Sequence, residues 1–592
     1  MPNNAEKLRI LVDKVMQPEE GWVTKEWMIE ETADAGFNLY SPRKGHDQYD
    51  QIGLVAEWCE AREMMAMPWM AGTLTAPKGE EAEGRRLVWE SGLEQDLWSP
   101  NSDRFWSWMK GHIVQHAKIS AEMPNLIGVF LDFENYAAGK PRHQGNCYSL
   151  SYDDAILERF SGAIDREIPD LPAHRRGEWL ESNGLHEDFA DFQIGFWSDR
   201  CRELRSSVDE HNPEFRFCIY PAPGTMFMTE ACYEEWSTER APLILADAAT
   251  YGRPSRFMTQ ERAIEANRKK LRERRKIPTD AKIPFTYISG IDPVVIGADP
   301  EFCGKNAIGI ADASDGYWVF YEGPKYHGEH PDYFRWFRVA NTAIVNGELE
   351  AWRGPRETFS RWGLALSDDG TKRPRVLAPD REPEMRTYPA ATMTGGNTIL
   401  VGARAGLQVQ LGIEAEGSHQ HPIRWILRDP AYEMLDRGEM GVSGTVEFSP
   451  KADGVYPLVI EAEEQVYRVT GSNSPLGLYA GRGLSTFGPV GPLFFKVPKD
   501  GGFMVRVRGS GRETARITLY GPGGSEVDRA ETNLRKRRAE IVVDPGSRAG
   551  GVWSISLTPA GEGHLGRCSV TIRPDASPVL SLLEGEVFDL VA

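Results

Sequence analysis

The first 350 or so residues alternate between short apolar runs and longer segments of helical period, and this alternation limits the possible folds more than any other feature. Strand-like runs are expected at 8–12 (LRILV), 37–40, 64–70 (MMAMPWM), 126–131, 215–220, 243–246, 283–288 and 316–321 (GYWVFY). Helical periodicity is expected over 24–35, 49–62, 104–121, 153–211 with a break at 169–172, 259–275 and 332–346. Gly36 closes the first of these, as a residue free to take positive φ does at a helix end. Between 71 and 99 lies an insertion carrying Gly, Pro and charge. Eight such units predict a (β/α)8 barrel, the TIM-barrel form of an α/β fold. A doubly wound open sheet is the main competitor, and the absence of a GxGxxG or Walker-type loop weakens it.

After Arg353 the texture changes. Short alternating strands separated by Gly, Pro and Asp-Gly turns take over, as in 398–401, 407–413, 456–460, 503–507 and 552–557. That spacing predicts β-sandwiches. The expected division is a barrel over 1–353, an all-β sandwich module over 354–470, and a second over 471–592, with 471–475 (GSNSP) as linker. The last module resembles the small jelly-roll modules appended to secreted hydrolases, through PLFFKVPK at 492–499 and ITLYGPGG at 517–524. Its expected role is packing rather than chemistry.

A formal net charge of -19 argues against polyanionic partners that need basic patches, so neither nucleic acid nor an anionic membrane is expected. The basic run RKKLRERRK at 268–276 reads as the solvated face of a helix. No apolar run reaches the roughly 18 residues of a membrane span, and the start lacks a signal-peptide core. The expected location is secreted or periplasmic, the leader being absent from this chain, with the cytoplasm as the alternative. Seven cysteines without a CxxC pair point to neither a zinc cage nor a disulfide framework, and His419 and His421 read as a surface loop. No metal and no cofactor is expected.

The segment LIGVFLDFENY at 126–136 carries the chemistry. An apolar strand runs directly into Asp132 and Glu134, which are two residues apart and so share one face. Carboxyl groups side by side at the mouth of a parallel sheet can take different pKa values, one protonated and one ionised, as cleavage of a glycosidic bond requires. GVFLDFE at 128–134 resembles the end of the chitinase-type active-strand signature, a glycoside hydrolase barrel family. By that resemblance Glu134 matches the proton donor and Asp132 the aspartate beside it. Phe130 and Ile127 stand where that family places further aspartates, a departure that bears on its substrate-assisted mechanism. A second resemblance, to the α-galactosidase-like clan, would make Asp132 the nucleophile and Asp247, after LILAD, the acid. The clan with Glu at strands four and seven fits poorly, since strand seven is followed by Ser289-Gly290-Ile291-Asp292.

Further polar and aromatic groups fall at expected strand ends, the face where barrel enzymes place chemistry. Asp13, Arg43, Trp69, Tyr136, Tyr220, Tyr251, Tyr287, Asp292, Trp318 and Glu322 are the expected substrate contacts, with Glu134, Asp132 and Asp247 catalytic. Rings give walls for sugar faces and carboxylates accept hydroxyl hydrogen bonds. The expected function is hydrolysis of a glycosidic bond in an oligo- or polysaccharide. The alternatives are a polysaccharide lyase or sialidase-like enzyme on the same barrel, with Lys14, Arg43 and Arg253 as the cations a uronate lyase needs, or a non-catalytic carbohydrate-binding protein. Carbohydrate is the expected partner, and an oligomer is compatible with the sequence.

Overall fold

The computed structural model describes all residues except 1–3, 135–149, 225–226, 255–257, 296, 355–372, 377–383, 390, 418–421, 482, 498–501, 545–549, 575 and 592. It separates into two compact units, one of residues 1–254 and 260–354, the other of 255–259 and 355–592. Tyr136, His419 and His421 lie outside the described residues.

The first unit is the expected barrel. Its strands are β1 (Leu8–Asp13), β2 (Leu39–Pro42), β3 in two pieces (Met65–Ala66 and Trp69–Ala71), β4 (Gly128–Asp132), β5 (Arg216–Ala222), β6 (Leu243–Asp247), β7 (Phe285–Ile291) and β8 (Gly316–Tyr321). All pair in parallel, and the ring closes where β1 meets β8, Leu8 opposite Gly316. Pro68, which cannot donate to a ladder, divides β3. Its first piece pairs with β2 and its second with β4. Alternate residues fill the lumen: Ile10 and Val12, Leu39, Met67 and Trp69, Phe130, Cys218 and Tyr220, Ile244 and Ala246, Ile288 and Trp318. The residues between them face the surrounding helices.

Those helices include α1 (Glu26–Asp34), α2 (Tyr49–Glu60), α3 (Asp103–Glu122), α4 (His186–Asp209), α5 (Gln260–Arg274), α6 (Pro300–Ala313) and α7 (His330–Asn346). No helical period announces α6 in the sequence, because every one of its residues except Asp312 is buried and it has no polar stripe. Its two buried charges, Glu301 and Lys305, are one turn apart and pair at 2.9 Å. The basic run is a solvated face only in part: Lys269, Lys270, Arg272 and Lys276 are exposed. Arg268 is buried and bound to Glu265 and Asp312, Arg274 binds Asp247, and Arg275, just past α5, binds Asp315, so these arginines join α5 and the turn after it to their neighbours.

The second unit is all β. In its first sandwich, the long strand Gly454–Ser472 pairs with Thr392–Ala403, Val409–Glu416 and Ile423–Arg428. In the second, Val490–Lys496 pairs with Val552–Thr558, and Phe503–Gly509 with Arg538–Val543 and Arg567–Pro574. Thr392–Ala403 also pairs with Leu476–Tyr479, and one hydrophobic core runs from Met393 through Tyr467 to Phe495, Phe503 and Trp553. Among the described residues, no helix is long and apolar enough to cross a membrane.

Two glycines test the barrel's closure. A Cβ on Gly128 would meet the Arg216 carbonyl oxygen, which belongs to the adjoining strand and cannot move aside. Gly128→Ala is expected to lose about 1–3 kcal/mol or more in urea unfolding, as overpacking at a rigid contact does. Gly111, exposed on α3 with open space around it, should tolerate Ala or gain up to about 1 kcal/mol. Equal stability of the two variants would contradict the β4–β5 register.

Candidate active site

The strand pleat sorts the polar residues at the barrel's carboxyl end into two sets. Asp132 follows Phe130 on the lumen side of β4, and its carboxylate accepts the Glu134 backbone N–H at 2.8 Å. Asp292 continues the lumen face of β7 beyond Ile288 and Gly290, and accepts the Val294 N–H at 2.9 Å. Glu322, just past β8, is bound by the Lys14 ammonium from the end of β1, and that ammonium also lies 5.2 Å from the Phe320 ring. These groups act on one another electrostatically: Asp132 feels Glu134, Arg43 and Lys14, while Asp292 feels Glu322, Lys14 and Glu134. Carboxyls from strands four, seven and eight thus share one mouth.

Burial pushes Asp132 up to about 7, and the neighbouring Glu134 charge adds to the effect. Burial likewise pushes Asp292 up to about 7, reinforced by Glu322 and Glu134. The Arg43 guanidinium, at the end of β2, stacks 3.3 Å from the centre of the Trp69 ring. Its buried Nε has no hydrogen-bond partner among the described residues.

An aromatic wall stands beside the acids. Tyr220 and Tyr251 stack at 6.3 Å, and both meet Trp318 edge-on, at 5.0 and 5.6 Å. Burial and contact with Tyr220, together with the Glu134 and Asp132 charges, hold the Tyr251 phenol well above its usual range. Gly290 makes this wall possible, because a Cβ there would run into Tyr251 Cε1 and come within 2.8 Å of Trp318 Cε2. The loop carrying Tyr251 is tied to β7 by Thr250, whose hydroxyl donates to the Gly290 carbonyl at 2.9 Å, and by the Asp292 N–H to the Tyr251 carbonyl at 3.2 Å.

Three expected site residues face the other way. Asp247 sits opposite in parity to Ala246, so its carboxylate enters the helix layer and binds the Tyr287 hydroxyl at 2.5 Å, Arg274 Nε at 2.6 Å and the Ala249 N–H at 2.8 Å. Tyr287 leaves the lumen with it. Asp13 is also turned outward, accepting the Val15, Met16 and Gln17 N–H groups and the Tyr40 hydroxyl. The expected pairing of Asp247 with Asp132 across the cleft is therefore not made. Arg253 is tied to Asp299 and the Gly297 carbonyl. Two contributors escaped the sequence reading: Gly290, signalled only by a glycine two residues before Asp292, and Phe320, which shares the lumen face of β8 with Trp318.

No family model matches this chain, and no curated protein does. Similar solved structures are glycoside hydrolases. A β-galactosidase from Bacillus circulans sp. alkalophilus has 10% identity and a TM-score of 0.39 over 93% of this chain and 99% of that one. For a cold-adapted β-galactosidase from Rahnella sp. R3 the values are 12% and 0.37, over 59% of this chain. The present chain spans 56% of the length of that Rahnella enzyme. A glycoside hydrolase family 5 enzyme from Prevotella bryantii B14 gives 9% and 0.33, over 57% of this chain and 96% of that one. Similarity of this size carries no information about substrate or reaction.

The raised acids have a consequence for stability. Asp132 binds a proton in the folded chain up to about pH 7 but has an ordinary value of 3.8 when unfolded. Between those limits the native state holds the extra proton, so this contribution is full below about pH 4 and is lost as pH rises through about 7. Asp132→Asn should therefore gain stability relative to the parent on going from pH 5 to pH 8, by about 1–3 kcal/mol, and level off above that. A pH-independent difference in denaturant unfolding would contradict the buried, proton-holding Asp132.

Proposed function

We propose that this chain is a glycoside hydrolase that cleaves an oligo- or polysaccharide at the lumen mouth. The observation that carries the reading is the convergence of Asp132, Glu134, Asp292 and Glu322 beside the Tyr220–Tyr251–Trp318 wall, with two of the acids pushed up to about 7. Acids poised near neutrality suit proton transfer to and from a leaving oxygen.

In this reading Glu134, two residues beyond Asp132 along the chain, protonates the glycosidic oxygen. The proton that Glu134 delivers is the one Asp132 holds at rest beside it, so Asp132 is left ionised as the glycosidic oxygen is protonated. Asp292 or Glu322, contributed by strands seven and eight, activates water or attacks the anomeric carbon. Trp69, Tyr220, Tyr251 and Trp318 supply ring faces. Asp247, Tyr287 and Asp13 support the framework and receive no catalytic part. The β unit over 355–592 takes no part in the chemistry.

Release of reducing ends from a polysaccharide panel tests the proposal. Glu134→Gln, Asp132→Asn and Asp292→Asn should each lower turnover by about 10²–10⁴-fold, the usual range for lost acid–base help. Asp247→Asn should lower thermal stability while changing turnover per folded molecule only a few-fold. Absence of reducing ends from every glycan, or near-parental turnover in both Glu134→Gln and Asp132→Asn, would overturn the reading. An unsaturated-uronate absorbance in place of hydrolysis would transfer the case to a lyase, with Arg43 as the cation.

A further inference from the structure

A cleft of about 360 Å³ opens where the β1 and β2 loops meet, and its lining includes Trp22, Arg43, Lys44, His46, Asp47 and Trp69. Two of these aromatic rings carry a cation. Lys44 Nζ lies 4.3 Å from the centre of the Trp22 ring, and the Arg43 guanidinium lies 3.3 Å from that of Trp69. A ring face attracts a cation without neutralising it, so both charges remain available to a ligand. Neither side chain makes an ion pair among the described residues. Asp47 is the carboxylate of the lining and is exposed. Burial and the neighbouring His112 hold His46 below its usual range, so it brings no charge at neutral pH. Two cations stand against one carboxylate in the cleft's own lining, while Arg43 also lies in the field of Asp132 and Glu322 deeper in the mouth.

The cleft is also built to keep its shape. Trp22 has φ 71°, a left-handed conformation that costs a large non-glycine residue energy and persists only where its surroundings enforce it. Buried Gln17 does the enforcing. Its backbone carbonyl accepts the Trp22 N–H at 2.7 Å, while its side chain accepts the Lys44 N–H at 3.1 Å and donates to the Lys44 carbonyl at 3.2 Å and Thr24 Oγ1 at 2.9 Å. One buried amide thereby fixes the two loops that carry the cation–ring pairs. Arg43 and Trp69 belong both to this cleft and to the mouth that holds Asp132, so the cleft continues the candidate active site.

We propose that this cleft is a subsite for a sugar bearing an anionic substituent, a carboxylate or a sulfate ester, with its ring on Trp22 and its charge against Arg43 and Lys44. The sugar half of the proposal rests on the glycoside hydrolase reading, whereas the anionic half rests on the cleft alone. A guanidinium edge matches a carboxylate or sulfate oxygen pair.

The test is calorimetric binding by the full chain carrying Glu134→Gln, so that a bound oligosaccharide is not consumed. The probes are matched pairs: uronic-acid oligosaccharides against their carboxyl-reduced forms, and sulfated oligosaccharides against their desulfated forms. At least one charged member should bind about tenfold more tightly than its neutral partner, the worth of one charge-assisted contact. The preference should weaken as salt rises and vanish in Lys44→Glu and Arg43→Gln. Which pair shows it identifies the substituent. Equal binding within every pair, or a preference that survives both substitutions, would overturn the proposal. Lys44 is exposed, so its charge reversal leaves the packed interior untouched and the comparison valid. Charge preference without any bond cleavage by the parent chain would uphold the subsite and remove the hydrolase reading. Cleavage of neutral glycans without charge preference would do the reverse.

Discussion

Everything at the candidate site depends on the pleat of a closed parallel ring. In each strand successive side chains alternate between lumen and helix layer, and closure fixes which set is inside, because a one-residue slip would exchange them all. Phe130 in the lumen puts Asp132 there too, and Ala246 in the lumen turns Asp247 out to Arg274 and Tyr287. The acids at strand ends therefore divide into a reactive group inside and a structural group outside. The outer group is fully engaged: Asp13 caps the turn after β1, and Asp247 ties α5 to β7.

Inside the mouth, burial and charge act together. Among the described residues Asp132 and Asp292 make no direct arginine or lysine contact, and desolvation is the largest influence on both, so both protons are held more tightly. Lys14 binds Glu322 directly. Aromatic rings set the dry side of this environment, and Gly290 sets the rings. With any side chain at 290, Tyr251 and Trp318 could not both keep their places beside Tyr220.

The barrel was legible because each strand of a parallel sheet buried on both faces shows as a continuous apolar run, and most of its helices carry a polar stripe. It was not legible at α6, whose burial on nearly every face erased the stripe. The interruption of β3 at Pro68 is visible as a residue but not as a break, since an apolar run on either side masks it. The run at 268–276 looked wholly like a solvated face because sequence shows mostly like charges in a row and not what Arg268, Arg274 and Arg275 bind. Their partners, Asp247, Asp312 and Asp315, come from other parts of the chain.

The sequence by itself determined the alternation of strands and helices, the change to β structure after about residue 353, and the presence of Asp132 and Glu134 at the end of β4. These are local properties, written in apolar runs, periods and turn residues. Only the tertiary structure decided which strand-end groups meet. Asp292, Glu322, Arg43 and the Tyr220–Tyr251–Trp318 wall join Asp132, while Asp247, Tyr287 and Asp13 turn away. The reason is that inward and outward positions differ by a single residue along each strand, and only closure of the ring, through contacts distant in sequence, selects between them.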